Sequence, residues 1–528
     1  MRLRRRDWLL GAAASATLPA CAASAALYRR GNDADPETLD PHRSSTVAEA
    51  HILRDLFEGL LTYDNRGAII PGAAESWAIS ADALTYTFRL RPDGRWSNGE
   101  PVEASAFVYA LRRILKPETA AKYAEVLYPL RNAAALNRGE APPEALGVSA
   151  PDPRTLVISL DKPTPYLLEL LTHQTALPVH QRSLERYGDA FTRPGNLISN
   201  GAYALRALVP NDRITLARNP HHYAAAEIGI AEVAFIPTPD LAGAVRRFAA
   251  GELDSLADLP GDQMASLRRR FGDQVVLGPA LGLYALAVNT RKAPFDDLRV
   301  RRALSLVIDR AYLAEALWGG TMSPAFSLCP PGLDNYRDPP ETAGRTGLPI
   351  DHEAEARRLL QEAGFGPGRP LRVEYRFNTT DNNRNTAIAI AEMWRDLGIE
   401  TRFIYTDAKT HFAHLRDGGD FDVARMSWIA DYADPQNFLF LLRSGNDGLN
   451  PGRYANPDYD RLLDAAAGER DVAARAGLLA RAEAILMRDL PWIPVMHTRS
   501  KALISPRLHG FHPNLRNVAP TRFLRLDA

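Results

Sequence analysis

Cysteine is almost absent from this chain. The 528 residues contain only two, Cys21 and Cys329, and the disulfide frameworks that hold small secreted domains together need more. Because Cys21 lies in an N-terminal segment with the features of an export signal, the mature fold is expected to have no internal disulfide. With 46% hydrophobic residues, a chain of this length is expected to form about two to four domains around ordinary hydrophobic cores.

An excess of charge of either sign is also missing. Lysine plus arginine and aspartate plus glutamate both number 63, so the formal net charge is zero. Proteins that bind nucleic acid or acidic membranes over a broad surface usually carry a large positive charge, so neither class of partner is expected. Beyond the N-terminal segment, no run approaches the roughly 18 apolar residues that a membrane-spanning helix needs.

The motifs of common enzyme classes are missing as well. There is no phosphate-binding loop and no nucleophile elbow, and His352-Glu353 lacks the second histidine of a zinc-protease helix. The glycine-rich stretch 364–368 follows a predicted helix and contains a proline, which is typical of a loop. Neither catalysis nor a cofactor is therefore expected. The histidines that could bind a metal ion are His221, His222, His411 and His414. Cysteine or acidic partners at metal-ligand spacing are missing around them.

The N-terminus, by contrast, carries a targeting pattern. Four arginines within the first six residues precede a short alanine-rich apolar run, which is the organisation of an export signal. Leu18-Pro19-Ala20-Cys21 resembles a bacterial lipobox, in which the cysteine is lipidated and becomes the mature N-terminus, although Pro19 is unusual there. Arg5-Arg6 also resembles a twin-arginine signal. Residues 1–24 are predicted to be a signal peptide with a lipobox ending at Cys21, and a retained membrane anchor is the alternative.

Hydrophobic periodicity predicts an α/β chain. Helices are predicted over 48–61, 103–115 and 351–364, and alternating strands over 84–91, 202–208 and 213–218. Asp351 is the expected N-cap of the third helix, with Gly364 after its last turn. Periodicity alone indicates neither the topology nor the function.

Short sequence blocks in a fixed order go further. The first group contains 39–41 (LDP), 56–61 (LFEGLL), 71–77 (PGAAESW), 86–91 (YTFRLR) and 96–102 (WSNGEPV). Later blocks are 194–196 (PGN), 199–203 (SNGAY), 251–254 (GELD), 294–304 (PFDDLRVRRAL) and 491–495 (PWIPV). Together they make the chain, from about residue 31 to its end, resemble the periplasmic oligopeptide-binding proteins of ABC importers, extracellular solute-binding proteins of family five (the peptide- and nickel-binding class).

The resemblance implies an architecture. It implies the two-lobed α/β fold of periplasmic binding proteins, with crossing connections and an extra α/β domain on the first lobe. It places lobe I at 30–57, 182–281 and 499–528, the extra domain at 58–181 and lobe II at 282–498. No linker rich in proline, glycine or serine marks these boundaries, so they rest on the resemblance.

The stretch Phe421–Tyr432 (FDVARMSWIADY) is the candidate binding element. It predicts a strand ending in a loop, with Arg425, Ser427, Ile429 and Asp431 on one side, because side chains alternate along a strand. An aspartate and an arginine separated along one strand are placed to hold the two charged ends of a small zwitterion, such as a peptide. An ordinary strand with solvated charges is the alternative.

The resemblance assigns roles to these residues and to others. Asp431 matches the aspartate that captures the peptide's α-amino group, with a loop position or a helix cap ahead of Pro435 as the structural alternative. The other matched positions are Ser427 and Ile429 (backbone groups for the peptide), Trp428 (a pocket wall), Arg425 and Arg416 (the peptide carboxylate), and Val47 and Tyr284 (groove lining). The alternative is a surface salt bridge for each arginine and core packing for the aromatic residues.

The chain departs from the family's best-studied pattern at four of its positions. An acidic residue is replaced by Ser45, a histidine by Asn383, a lysine by Leu317 and a disulfide-paired cysteine by Ile429. Loss of the positive groups puts capture of the C-terminal carboxylate in doubt for some peptide lengths. The length preference is therefore expected to differ, or the ligand to be a modified or cell-wall peptide.

The expected function is that of an extracytoplasmic receptor without catalytic activity. It would bind short peptides between its lobes and deliver them to an ABC permease in the inner membrane, as a periplasmic, lipid-anchored monomer. Within the same fold, the alternatives are receptors for dipeptides, murein peptides or a nonpeptide solute. Outside it, they are an extracytoplasmic peptide hydrolase and an interaction protein, either a signalling co-receptor or a holdase.

Overall fold

The computed structural model describes residues 27–333, 336, 338–346, 348–446 and 448–527. The expected export signal, with its lipobox and Cys21, lies outside these residues. Within the described ranges, no helix combines the length and the apolar character needed to cross a membrane.

Helices and strands are mixed along the whole chain. The strands are β1 Leu27–Gly31, β2 Leu61–Tyr63, β3 Ile69–Pro71, β4 Ala74–Ile79, β5 Thr85–Leu90, β6 Val148–Asp152, β7 Thr155–Ser159, β8 Tyr203–Val209, β9 Arg213–Arg218, β10 Glu232–Ile236, β11 Ser255–Leu256, β12 Val275–Val288, β13 Met322–Pro324, β14 Arg372–Asn378, β15 Glu400–Thr406, β16 Val423–Ile429, β17 Trp492–Ile504, β18 Leu508–His509 and β19 Arg525–Leu526. The α-helices are α1 Val47–Leu56, α2 Ala104–Leu115, α3 Ala133–Asn137, α4 Leu167–Leu170, α5 Gln181–Tyr187, α6 Leu241–Ala249, α7 Met264–Phe271, α8 Leu298–Leu306, α9 Arg310–Tyr312, α10 Pro349–Glu362, α11 Asp381–Arg395, α12 Ala408–Arg416, α13 Gln436–Leu439, α14 Pro457–Gly468 and α15 Val472–Asp489.

One large mixed sheet runs through two lobes. Its strand order is β15-β14-β16-β12-β17-β11-β1-β10-β9-β8, and β13 pairs with β17 beside this path. The half built on β1 and β8–β11 is lobe I, and the half built on β14–β16 is lobe II. The long strands β12 and β17 lie between these halves and belong to both, so the molecule has a two-lobed α/β fold.

Both faces of the sheet are buried in lobe II. Leu283, Ala285 and Ala287 of β12 belong to one hydrophobic core, while Tyr284 and Leu286 belong to the core on the opposite face. Successive side chains of a strand point to opposite faces, so a strand covered on both sides has to be apolar at every position. This requirement accounts for the unbroken apolar run at the end of β12.

The two crossing strands lose their regular pairing at two neighbouring places, the second between Tyr284 and Ala285. Residues 275–279 of β12 pair with 499–503 of β17, and the ladder is interrupted between Pro279 and Leu283 before pairing resumes. Gly282 lies in this gap, where a Cβ atom would come 2.2 Å from Thr498 Oγ1. The expected lobe boundaries, 281/282 and 498/499, stay a prediction.

The extra domain has a sheet and a core of its own. Strands β4-β5-β7-β6 form an antiparallel sheet, and α2 contributes Phe107 and Leu111 to the core that Phe88 and Ile158 share. On its other side, Arg113 of α2 donates hydrogen bonds of 2.9 and 2.6 Å to the buried Asp40 carboxylate. This ion pair ties the extra domain to lobe I.

Most predicted elements are confirmed within two residues, with two corrections. The helix expected over 48–61 ends at Leu56, because Phe57 is already extended and β2 begins at Leu61. The helix expected to be capped by Asp351 begins earlier, at Pro349, with Leu348 at the N-cap. Proline is preset for the first helical position, so Asp351 lies inside the first turn.

Candidate functional site

Strand β16 leads into the loop that carries Asp431. Ser427 of β16 is opposite Tyr284 of β12, and Ile429 is opposite Gly282. The chain leaves the sheet after the Ala430 N–H bond to the Leu281 carbonyl, 2.8 Å long. The predicted strand ending in a loop is confirmed.

Asp431 is an exposed carboxylate without a partner. Its side chain makes no hydrogen bond or ion pair with any described residue. Partial desolvation and the negative charge of Glu125, on the extra domain, raise its pKa. Such a carboxylate gains from the arrival of a cation, since an opposite charge favours its ionised form. Asp431 does not cap a helix, because α13 begins at Gln436 with Pro435 at its N-cap. The nearby Asp434 accepts a 2.9 Å bond from the Gln436 N–H.

The loop around Asp431 is held from two sides. Arg475 of α15 donates bonds of 2.7 and 2.8 Å to the two carboxylate oxygens of Asp434, and both residues are buried. The Tyr432 ring stacks on Tyr166 of the extra domain, with ring centroids 4.9 Å apart and planes 7° from parallel. Asp431 therefore projects from a fixed backbone.

Arg425 keeps its positive charge without an acidic partner among the described residues. Its guanidinium lies 5.0 Å from the Tyr284 ring centre and 5.6 Å from that of Phe412, and Nη1 donates a 2.9 Å bond to Asn378 Oδ1. Burial lowers its pKa, yet the group remains cationic because an arginine titrates far above neutrality. The Asn383 amide, which replaces the family's histidine, donates to the same Asn378 side chain at 3.2 Å.

The remaining predicted residues have contrasting environments. Ile429 and Val47 are 73% and 64% exposed, whereas Tyr284 is only 1% exposed and packs on Trp318 in the lobe II core. The Trp428 indole donates a 2.8 Å bond to Asn437 and its ring contacts that lobe's other core. Arg416 is exposed and 3.6 Å from Asp417, the surface environment considered as its alternative.

The structure thus brings together only some of the predicted site residues. Arg425, Ser427 and Tyr284 lie together on adjacent strands, and Ile429 and Asp431 follow. Among the described residues, no hydrogen bond, ion pair or ring contact joins Arg416 or Val47 to them. Three residues were missed: Asn378, Tyr166 and Glu125. Each is brought to the site from a distant segment, and no local sequence pattern distinguishes it.

The described part of the chain contains no group of three or more histidine, cysteine, aspartate or glutamate side chains able to hold a metal ion. His411 Nε2–H donates a 2.9 Å bond to the Arg425 carbonyl, and His414 Nε2–H donates one of 2.9 Å to the Asp420 carbonyl. These contacts agree with hydrogen-bonded histidines. The thiol of Cys329 is buried in lobe II, and burial raises its pKa.

The chain is similar to known proteins over most of its length. A family model described as bacterial extracellular solute-binding proteins, family 5 Middle, matches residues 68–450. The periplasmic murein peptide-binding protein MppA of Escherichia coli is 38% identical over 491 residues, which covers 91% of this chain and 89% of that protein.

Two solved structures share the fold and differ in how well they superpose. The unliganded open form of MppA gives a TM-score of 0.88 at 36% identity, covering 95% of this chain and 97% of that one. Haemophilus influenzae OppA in complex with the peptide RPPGFSPFR gives 0.71 at 34% identity, covering 94% and 98%. Because the identities are nearly equal, the higher score indicates that the lobes stand apart here as they do in the open form.

The family match and this relative both extend across the two lobes and the extra domain. The chain belongs to the bacterial extracellular solute-binding proteins of family 5.

Proposed function

We propose that this protein is an extracytoplasmic receptor that binds short peptides in the cleft between its lobes and delivers them to an ABC permease. The observation that carries the proposal is Asp431, a carboxylate with no partner in the described part of the chain, on a firmly held loop beside the cleft strand β16. A peptide's α-ammonium group supplies the cation that this position lacks. A charge-assisted hydrogen bond of this kind is roughly twice as strong as a neutral one.

The rest of the peptide would follow β16. Ser427 and Ile429 offer backbone groups to an extended ligand, which is recognition by strand addition and does not depend on the ligand's side chains. Arg425 lies further along the same strand with an unmatched charge, and its planar fork suits a carboxylate. Its partial burial means that a ligand has to bring its own carboxylate close to the Tyr284 and Asn378 side chains.

Ligand binding would close the lobes. The lobes stand apart in the described form, and Asp431 belongs to lobe II while Val47 projects from lobe I. A ligand that contacts both lobes stabilises the closed form by the difference between its affinities for the two states. The permease would recognise this closed form, and the receptor would carry out no chemistry.

The place of action is the periplasm. Lipidation at Cys21 would hold the receptor at the membrane, and stable attachment needs two or more acyl chains because one chain gives only marginal binding. A monomer is sufficient for this function, since the two walls of the cleft come from one chain.

A second candidate ligand is a murein or otherwise acidic peptide. Where the family's best-studied pattern has an acidic residue, Ser45 accepts a 3.2 Å bond from Lys122, which is also paired with Glu37 at 3.0 Å. A neutral serine in place of the acidic residue removes a negative charge that would repel a ligand with an extra carboxylate. MppA, whose name records a murein peptide, is among the relatives.

Native mass spectrometry of the protein purified without added ligand tests the proposal. Copurifying masses that fragment as mixed short peptides are expected, and their lengths report where the carboxylate is held. A single acidic or murein fragment would favour the second candidate. A protein that is empty and also fails to bind added peptides would contradict both.

A further inference from the structure

The extra domain reaches the loop of lobe II that carries Asp431. Tyr166 lies between β7 and α4, and its ring is parallel to that of Tyr432, with centroids 4.9 Å apart and planes 7° from parallel. Tyr432 directly follows Asp431 in the chain. An aromatic side chain from another part of the molecule therefore contacts the neighbour of the proposed amine ligand.

The same ring has a second contact with lobe II. The Arg475 guanidinium lies 5.9 Å from the Tyr166 ring centre, and that guanidinium is held by its two bonds to Asp434. Offset aromatic stacking and cation–π contact are both favourable, the latter more so when the cation is desolvated. Tyr166 thus contacts Tyr432, one residue beyond Asp431, directly. Through Arg475 it is also linked to Asp434, three residues beyond Asp431.

Contacts within lobe II hold the rest of the loop. The Ala430 N–H bond to Leu281 fixes the residue before Asp431, and the Tyr432 hydroxyl donates a 2.5 Å bond to Gln436 within the same loop. The Tyr432 ring is the point at which the loop meets a different domain. Without the Tyr166 ring, the Tyr432 side chain would lose its stacking partner and gain freedom to reorient.

We infer that Tyr166 is a positioning residue that holds Asp431, through Tyr432, in the orientation needed to receive a ligand ammonium group. This inference rests on the proposed amine capture by Asp431. It gives the extra domain a role in recognition that is separate from lining the groove. Tyr166 itself touches no ligand in this account.

The first test measures the loop without ligand. Amide hydrogen exchange of the segment 430–434 is compared between the wild type and Tyr166→Ala, with Tyr166→Phe as the conservative variant, which keeps the ring. Tyr128→Ala is the matched control, because Tyr128 is another tyrosine of the extra domain whose hydroxyl bonds to Asn137 within that domain. Faster exchange in Tyr166→Ala alone is expected. Unchanged exchange, or an equal change in Tyr128→Ala, would overturn the inference.

The second test measures recognition. Calorimetric titrations with tri-alanine and N-acetyl-tri-alanine give the ratio of their affinities for each variant. Tyr166→Ala is expected to reduce this ratio at least threefold by weakening tri-alanine, while Tyr166→Phe restores it. A similar loss of both affinities, or an unchanged ratio, would contradict the role of Tyr166 but not amine capture by Asp431. A ratio near one in the wild type would contradict amine capture itself and the inference with it.

Discussion

Asp431 and Asp434 lie three residues apart, and their different environments give one a functional role and the other a structural role. Asp434 is buried, accepts a bond from the Gln436 N–H and forms an ion pair with Arg475. Asp431 is exposed and has no partner among the described residues, and Glu125 contributes to the rise in its pKa. The first carboxylate is satisfied by the fold, whereas the second is satisfied only by a ligand.

The raised pKa of Asp431 predicts how peptide binding depends on pH. Only the ionised carboxylate attracts an ammonium group, so affinity for tri-alanine should fall as the pH is lowered through the pKa of the free receptor. Because that pKa lies above the ordinary 3.8, the loss should begin at higher pH than for an ordinary aspartate. Calorimetric titrations at a series of pH values measure this pH dependence of the affinity for tri-alanine.

Asp431→Asn is the variant that isolates this effect. It should bind tri-alanine more weakly at neutral pH and lose the acid-dependent part of the affinity that the wild type shows. Glu227→Gln, a change to an exposed acidic residue on a short helical turn of lobe I, is the control and should retain the wild-type profile. Identical profiles for Asp431→Asn and wild type would assign the titration to another group.

At the scale of elements, α15 holds the segment that follows β13. The buried Glu483 carboxylate accepts bonds of 2.8 and 2.9 Å from the Leu328 and Cys329 N–H groups and 2.6 Å from the Tyr336 hydroxyl. Burial raises the pKa of Glu483 from 4.5 to about 7. The folded state therefore binds the Glu483 proton more tightly than the unfolded chain does.

This linkage predicts that the contribution of Glu483 to stability falls at higher pH. The Glu483 contribution is fully present below about pH 4.5 and is lost as the pH rises through about 7. The pKa difference corresponds to about 3 kcal/mol. Buried histidines such as His42 and His497, whose pKa is lowered to about 4, act in the opposite direction. In thermal unfolding, the stability of the wild type relative to Glu483→Gln, which keeps an acceptor for the backbone groups, should therefore be the quantity that falls across this range.

Two comparisons make the stability measurement specific. Buried Asp55, whose pKa is raised to about 6, acts in the same direction, so the relevant quantity is the difference between wild type and Glu483→Gln. Glu392→Gln, at an exposed position paired with Arg395, should follow the wild type. A Glu483→Gln profile parallel to that of the wild type would refute the assignment.

Elements that depend on local patterns were predictable from the sequence, and contacts between distant segments were not. Alternation in β16 indicated that Arg425, Ser427 and Ile429 share a face, because that follows from strand geometry. The start of α10 was misplaced because Pro349 outweighs Asp351 as the helix start. Tyr166 was not predictable at all, since 265 positions separate it from Asp431 and only the tertiary fold brings the extra domain to that loop.

At the scale of the whole molecule, the crossing strands control how the lobes move. The ladder between β12 and β17 is interrupted around Gly282, so a change of backbone angles there breaks no β12–β17 hydrogen bond, although Gly282 remains paired with Ile429 of β16. Hinges absorb a domain rotation at a few such residues. Closure would also have to preserve or replace the Tyr166–Tyr432 contact.

A side chain at Gly282 should interfere with this hinge. In Gly282→Ala the new Cβ would lie 2.2 Å from Thr498 Oγ1 and 2.7 Å from Cγ2, and overpacking of this kind typically costs about 1–3 kcal/mol. We expect a lower unfolding temperature and weaker binding of tri-alanine. The preference for the free amine should remain, because the Asp431 loop is not altered.

Thr498→Ala provides the test of this mechanism. It removes the two atoms that clash, so Gly282→Ala combined with Thr498→Ala should recover part of the lost stability and affinity. A single Gly282→Ala variant with wild-type properties would show that the level around Gly282 tolerates a side chain. A combined variant that is no more stable and binds no more tightly than Gly282→Ala would show that the clash with Thr498 does not cause the loss.

A paired calorimetric titration of the wild-type protein with tri-alanine and N-acetyl-tri-alanine tests whether Asp431 captures the peptide's α-amino group. Hydrogen bonds to charged groups contribute about 1.5–3 kcal/mol, so the free peptide should bind about tenfold to about a hundredfold more tightly. In Asp431→Asn the two affinities should converge. Equal affinities of the wild type for both peptides would contradict the account of a receptor that recognises peptides by their α-amino group.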